Sequence, residues 1–470
     1  MEKPFVVVGA GLVGSLLSIY LAKRGYKVEI YERRDDMRKG NIGGGRSINL
    51  ALSDRGWKGL EGVGIADEIR KIALPMKGRM VHDKEGKTNF LPYGKEGQAI
   101  YSVSRGGLNC MLMDLAEKHG AKIHFNQRCK NISKDGKVTV EDANGKETHV
   151  EAARIFGTDG AFSAVRLHMQ TTTDRFEYSQ HYLDYGYKEL VIPPTKSVDF
   201  AMDNQGLHIW ARGSFMMIAL PNIDKSFTCT LFFPFEGPQS FASLKDKDSV
   251  SRFFKETFPD ALPIMPTLLE DFFHNPTSSL VTIRCFPWST DDKVLLLGDA
   301  AHGVVPFYGQ GMNCGFEDCT VLEQLMEKYL TSHNDSKSVI ARDEARLKDH
   351  VGQAIWKTIF QELEKSRKPN SDAIADLAVA NFIEMRDLVT HPDFILQKKI
   401  EAHFSQLHPD KWLPLYTMVT FTDLPYSHAL KQGRKQDAIM KHVLASIPDL
   451  ETKWNSHEVE QLMLKLVAEG

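Results

Sequence analysis

Twenty residues, Val294 to Asn313 (VLLLGDAAHGVVPFYGQGMN), restrict what this chain can fold into more than any other stretch. Four apolar residues, Val294 to Leu297, read as a buried strand. Gly298 and Asp299 end it, and a glycine-punctuated turn follows. A carboxylate where a strand stops is well placed to hold a polyol. The Gly309-Gln310-Gly311 turn lets backbone N–H groups crowd against a ligand. A helix starting near Gly311 would point its positive end at the same place. The expected ligand is therefore a polyol joined to something that takes up negative charge, as in a flavin with its ribityl chain and reducible ring.

The N-terminus supplies the other half. Pro4 to Val8 is a short apolar strand running into Gly9-Ala10-Gly11-Leu12-Val13-Gly14, a GxGxxG turn. Leu16 to Lys23 has helical spacing, Gly25 stops it, and Lys27 to Tyr31 reads as a second strand ending at Glu32. Strand, glycine turn, helix, strand and acid together make the dinucleotide fingerprint. Gly9 permits the tight turn, Gly11 the approach of a pyrophosphate, and Gly14 close packing of helix on strand. Glu32 can accept from a ribose diol and would repel a 2′-phosphate, so this site favours FAD or NAD over NADP. A third motif, Asp159-Gly160 followed by Ser163, Val165 and Arg166, ends another apolar run. Asp159 taken alone also suits the N-cap of a helix.

In this order and spacing the three motifs resemble the single-component FAD monooxygenases of the p-hydroxybenzoate hydroxylase type. Six further runs resemble the kynurenine-hydroxylating branch of that family: Gly45-Arg46-Ser47-Ile48-Asn49-Leu50-Ala51-Leu52, Lys77-Gly78-Arg79-Met80, Leu91-Pro92-Tyr93-Gly94, Gly186-Tyr187-Lys188-Glu189-Leu190, Leu207-His208-Ile209-Trp210 and Tyr416-Thr417-Met418-Val419-Thr420-Phe421. The likeness runs from about residue 4 to about residue 430. It implies an α/β fold in which a discontinuous Rossmann-type FAD-binding domain (1–75, 98–175 and 280–335) accompanies an antiparallel-sheet substrate domain (76–97 and 176–279) and a C-terminal helical region (336–470). It implies that NADPH reduces FAD, that O2 adds at flavin C4a, and that one oxygen goes to the ring of L-kynurenine, ortho to its amino group. Oxygen activation is cofactor chemistry, so no side chain is assigned as catalytic.

The resemblance also implies the site residues. Arg79, Tyr93, Asn381 and Tyr416 would hold the substrate's amino-acid end, where a guanidinium grips a carboxylate through two N–H bonds. Ile218, Leu220, Phe232 and Phe307 would form the apolar wall. Tyr308 departs from the family, which places His or Phe there. FAD contacts are expected from Gly9, Gly11, Val13, Gly14, Glu32, Arg33, Ala51, Arg105, Asp159, Asp299, Gly311, Met312 and Asn313, with Arg105 toward the pyrophosphate. His302 is expected to support its loop rather than to act as a base.

Composition excludes other classes. A net charge of −3 gives no basic field for nucleic acid. The six cysteines form no CxxC and no zinc spacing, which suggests a reducing, cytoplasmic setting. No apolar run is long enough to span a membrane. Residues 207–233 alternate as an antiparallel meander with turns at Arg212-Gly213 and Pro221–Asp224. From about residue 318 the pattern is helical, interrupted at Pro369, Pro392 and Pro414, and His457 to Glu469 reads as a surface helix. Two alternatives stay open: a flavin hydroxylase of another aromatic acid, and a flavin-binding scaffold or redox sensor without turnover.

Overall fold

The computed structural model describes residues 3–40, 49–93, 97–133, 136–331, 344–389 and 391–469. Gly45 to Ile48 and Gly94, quoted above for the resemblance, lie outside them. The chain divides into two compact units. The first comprises Met1–Ala73, Val103–Leu183 and Val281–Ala375, and the second Leu74–Ser102, Asp184–Leu280 and Asp376–Gly470.

In the first unit the fingerprint forms as its pattern predicts. Strand Phe5–Val8 leads into helix Leu12–Lys23 and then into strand Val28–Tyr31. These strands belong to a six-stranded sheet in the order Ser289–Thr290, Val294–Leu296, Arg154–Gly157, Phe5–Val8, Val28–Tyr31, Lys122–His124. All neighbours are parallel except the short Ser289–Thr290 edge. The continuous apolar runs of its inner strands follow from burial on both faces. Register explains why three motifs so distant in sequence converge. Val8 lies beside Gly157, and Gly157 beside Leu296. The turns beginning at Gly9, Thr158 and Leu297 therefore leave the same carboxyl edge side by side, where such sheets bind ligands.

In the second unit the predicted meander is present as strands Gly206–Ala211, Met216–Pro221 and Phe227–Pro234. Residues 185–192 pair antiparallel with the last of these. Strand Gly78–His82 adds in parallel to Gly206–Ala211 and forms a hairpin with Thr88–Pro92. One face carries Trp210, Met217, Ala219, Phe227, Leu231 and Phe233, packed with Phe254, Phe258 and Phe272 of the helical segment that follows. Cross-strand partners share a face. The pairs Arg79–Leu207, Ile209–Ile218 and Met216–Phe232, with the period-2 alternation, place Arg79, Ile218, Leu220 and Phe232 together on the other face.

One expectation needs correction. Pro369 does not interrupt a helix; it lies inside Glu344–Ile383, where Asn370 Nδ2 donates to Ser366 O at 2.8 Å and Lys368 pairs with Asp372. Tertiary contacts just before it, Arg367 Nε to Asp318 at 2.8 Å and Trp288 N to Glu364 at 2.9 Å, hold the helix in place despite the missing N–H. The division between the two units falls within that same helix. Helical periodicity reveals a buried stripe without revealing what it packs on. Pro392 and Pro414 do mark helix starts, as the first residue of Pro392–Leu407 and the N-cap of Leu415–Thr420. The His457–Glu469 helix is present, with Val459 and Met463 buried against Ile400, Phe404 and Trp412. All six cysteines are free, and among the described residues no helix is long and apolar enough to cross a membrane.

Candidate functional site

The glycine turn of the first unit sorts its residues by what a side chain would meet. A Cβ on Gly9, whose φ is +100°, would lie 2.8 Å from Thr158 O, and one on Gly14 would lie 2.1 Å from Gly9 O. A Cβ on Gly11 would meet nothing within 4 Å. Two glycines are therefore needed for packing, and the third faces open space. Glu32 sits against this turn: Ala10 N–H donates to Oε2 at 2.9 Å and Arg34 N–H to Oε1 at 3.0 Å. Val13 is the point where the motifs touch. A Cβ added at Gly298 or Gly315 would come within 2.9 or 2.6 Å of Val13 Cγ2.

Several polar groups around these turns have no protein partner among the described residues. The Asp299 carboxylate is exposed between buried Gly298 and Ala300. Arg105 begins helix Arg105–Lys118, which is tied to the turn by Asn109 Nδ2 donating to Ala10 O at 3.1 Å. Arg33 lines a cavity of about 320 Å³ with Asn126, Arg128, Glu141, Asp142 and Ala143. The first-turn N–H groups of Gly311, Met312 and Asn313 in helix Gly311–Met326 have no intrahelical acceptor. An open glycine, free amides, a free carboxylate and unpaired guanidinium groups at one sheet edge fit a flavin dinucleotide.

Two expected contacts take a different form. Asn313 is fully buried, and its amide braces the protein: Oδ1 accepts from Ser53 N at 3.0 Å, and Nδ2 donates to Ala51 O at 2.8 Å and Gly309 O at 2.7 Å. Only its backbone N–H is left for a cofactor. Asp159 accepts from Ser163 Oγ at 2.5 Å, Ala164 N at 2.6 Å and Val165 N at 3.3 Å, so its carboxylate caps helix Ala164–Thr172. Burial still holds its carboxyl above the usual range against those bonds. Arg166 of the same motif reaches Ala300 O at 2.8 Å and so ties this turn to the Gly298–Asp299 turn. Phe307 and Tyr308 are buried in the short Pro306–Tyr308 turn of the same unit.

The second unit assembles the proposed clamp. The Arg79 guanidinium lies 4.7 Å over the Tyr416 ring, and Tyr416 stacks on Tyr93 with ring centroids 5.1 Å apart. The Tyr93 hydroxyl is buried without a well-directed hydrogen bond. Burial and the neighbouring Tyr416 push its ionisation well up, against the pull of Arg79, so it is a neutral phenol with a donor to offer. Asn381 is buried three residues before Glu384, whose Oε1 lies 3.7 Å from Arg79. Sequence reasoning missed Glu384. On a long helix it looks like any surface carboxylate, and only its place beside Arg79 distinguishes it.

Behind the Arg79 strand, on the core face, runs a polar chain. Asp260 Oδ2 accepts from Trp210 Nε1 at 2.9 Å and contacts His82 Nδ1 at 2.6 Å. His82 Nε2 meets His208 Nδ1 at 2.8 Å, and His208 Nε2 donates to Asp203 O at 2.6 Å. Because a carbonyl can only accept, His208 carries its proton at Nε2. Burial lowers its pKa to about 4, so it is neutral and accepts at Nδ1. Arg212 completes the clasp by donating to His82 O and Asp83 O, each at 3.0 Å.

A second polar cluster supports the cofactor turns. His302 Nε2 lies 2.6 Å from Asp318 Oδ2, which also accepts from Gly298 N at 2.9 Å. Burial disfavours the imidazolium, but the Asp318 charge and the Cys314 sulfur hold His302 protonated well above the usual histidine range. The Asp318 carboxyl, opposed by burial, is drawn down to about 2 by His302 and Arg367. His302 thus supports its loop, as expected.

Residues 2–354 match the family model described as an FAD binding domain. A kynurenine 3-monooxygenase of Flavobacterium johnsoniae is 50% identical over 463 residues, covering 98% of each chain. Those of Dictyostelium discoideum and Sus scrofa are 45% and 42% identical, covering 96% and 93% of this chain and 95% and 88% of their own. Among solved structures, 2-methyl-3-hydroxypyridine-5-carboxylic acid oxygenase matches with a TM-score of 0.63 at 20% identity, covering 87% of this chain and 98% of its own. The OxyS anhydrotetracycline hydroxylase of Streptomyces rimosus matches with a TM-score of 0.60 at 17% identity, covering 90% and 77%. These two share the fold.

Proposed function

The chain belongs to the kynurenine 3-monooxygenases, and from that premise we propose which of its residues carry the reaction. The enzyme hydroxylates L-kynurenine to 3-hydroxy-L-kynurenine with FAD as cofactor and NADPH and O2 as co-substrates. FAD, once reduced, supplies the activated oxygen; every other requirement falls on the protein.

Arg79 binds the α-carboxylate of kynurenine through its guanidinium fork, with the Tyr93 and Tyr416 hydroxyls and the Asn381 amide completing the grip. The observation that carries this reading is the Arg79–Tyr416–Tyr93 stack, because it holds a buried, neutral phenol beside a cation. Glu384 is placed to receive the α-ammonium, so that the zwitterion meets one charge of each sign. Ile218, Leu220 and Phe232 line the face that also bears Arg79 and give the aniline ring an apolar bed. Phe307 and Tyr308 are proposed as further aromatic contacts for the substrate.

For the cofactor, Glu32 accepts from the adenosine ribose and Asp299 from the ribityl chain. Gly9, Gly11, Val13 and Gly14 shape the pyrophosphate turn, and Arg33 and Arg105 balance its charge. Ala51, Gly311, Met312 and Asn313 offer backbone contacts. Asp159 acts through the helix it caps. Six free cysteines support a reducing, cytoplasmic setting.

The test is NADPH consumption by purified, FAD-loaded protein with and without L-kynurenine, with 3-hydroxykynurenine assayed alongside. Stimulated consumption with matching product is expected. Stimulation yielding only hydrogen peroxide would remove kynurenine as the substrate of this clamp.

A further inference from the structure

The cofactor turns rest on a buried set of charges that substrate binding does not use. Asp318 is fully buried in helix Gly311–Met326 and gathers three donors: Gly298 N at 2.9 Å, His302 Nε2 at 2.6 Å and Arg367 Nε at 2.8 Å. Arg367, 3% exposed, also donates to Cys314 O at 3.1 Å, to Cys314 Sγ at 3.2 Å and to Glu317 at 2.5 Å. Glu317 is bonded in turn to buried Arg55, and His302 Nδ1 faces Cys314 Sγ at 3.8 Å. The network therefore grips the flavin motif at two places. Gly298 immediately precedes Asp299, and Cys314 immediately follows Asn313.

A metal-site reading does not hold. His302, Cys314 and Asp318 do bring three ligand atoms within 4.8 Å of one another. The Arg367 guanidinium already contacts two of the three, so the set contains its own cation. The cluster is also more than filler for the core. A buried ion pair is poor evidence of stability, because apolar residues of the same volume often serve as well or better. What such a network does supply is fixed geometry and a fixed local field.

We propose that His302, Asp318 and Arg367 are positioning residues that fix the Gly298–Asp299 turn for FAD, and that the charge balance among them and Glu317 sets how readily bound FAD accepts electrons. The inference rests on the FAD reading above. Its physical basis is that charges removed from water are weakly screened. A flavin gains negative charge on reduction, so a buried cation nearby favours the reduced form and a buried anion opposes it. The protein's share in cofactor chemistry is exerted through such electrostatics and through orientation.

The experiment measures the midpoint potential of bound FAD against a redox dye, with FAD dissociation followed by flavin fluorescence and thermal unfolding recorded alongside. Wild type, H302Q, E317Q and R367K are compared as FAD-loaded proteins. H302Q removes a positive charge while keeping an N–H for Asp318, and the potential should fall. E317Q removes a negative charge at a site 18% exposed, and the potential should rise. R367K keeps the charge and loses the fork, so FAD should bind about tenfold more weakly at a nearly unchanged potential. Potentials that stay at the wild-type value, or move in the same direction in H302Q and E317Q, overturn the electrostatic claim. Unchanged FAD affinity in R367K overturns the positioning claim. If H302Q does not fold, E317Q decides alone: without a rise, the electrostatic claim is lost. Wild-type protein that takes up no FAD would instead sink the cofactor reading, and that result needs no variant.

Discussion

The two units each bury a histidine network behind a ligand-binding element, and the two are poised oppositely. In the first, His302 faces the Asp318 carboxylate and is held as an imidazolium. In the second, His208 faces a backbone carbonyl and another imidazole, and is held neutral. Burial is nearly the same, 3% and 2% exposed, so burial does not decide the protonation state. The partner does. A full negative charge at hydrogen-bond distance outweighs the loss of hydration, and a carbonyl dipole does not. The charged network braces the turn that would hold a cofactor, and the other braces the strand that bears Arg79.

Disrupting the charged network should give the largest effect. Asp318→Ala leaves His302 buried without its anion and Arg367 with Glu317 alone, at a cost of about 3–5 kcal/mol. The expected outcome is a large drop in the thermal unfolding midpoint, with FAD lost. A midpoint within a degree or so of wild type would show that the network is not the support described here.

Arg79→Ala tests the second unit where it meets substrate. Losing the buried charged contact should cost about 2–5 kcal/mol of kynurenine binding, read as a steep rise in KM. FAD affinity and unfolding midpoint should stay near wild type. Normal kynurenine binding in this variant would remove Arg79 from the clamp.

Asp260→Asn sharpens the contrast between units. The carboxylate serves both Trp210 and His82, and weakening one charge-assisted bond costs about 1.5–3 kcal/mol. The strand bearing Arg79 should loosen, so the unfolding midpoint falls and the kynurenine KM rises while FAD affinity holds. An equal loss of FAD affinity would show that the two networks are not separable.

How much of this was legible in sequence follows the range of the interactions. The glycine turn, its flanking strands and Glu32 lie within thirty residues of one another and declare themselves by local pattern. The meander shows through alternation. The roles of Arg367 and Asp260 do not, because their partners are distant: Asp318 lies 49 positions from Arg367, and His82 lies 178 from Asp260. Glu384 is silent for the same reason. Pro369 misleads because a local rule meets tertiary bracing, and Asn313 because an amide next to a ligand motif can serve the protein instead.

The smallest effect concerns pH, and its sign differs between the networks. The folded-state pKa of His208 is lowered from 6.5 to about 4. Below about pH 6.5 the unfolded chain takes up a proton that the fold refuses until about pH 4, so this group's contribution is present above that window and is lost as pH falls through it. The slope is at most about 1.4 kcal/mol per pH unit. The lowered carboxyl of Asp260 acts in the same direction further into acid. His302 is raised, so its contribution is complete below the unfolded value of 6.5 and is lost as pH rises through the folded one. Unfolding midpoints followed from neutral pH into mild acid should therefore decline less steeply in His208→Asn than in wild type, whereas H302Q should flatten the alkaline side and leave the acid limb unchanged. If His208→Asn keeps the full acid slope, the neutral histidine is not what acid attacks, and the contrast between the two networks loses its second half.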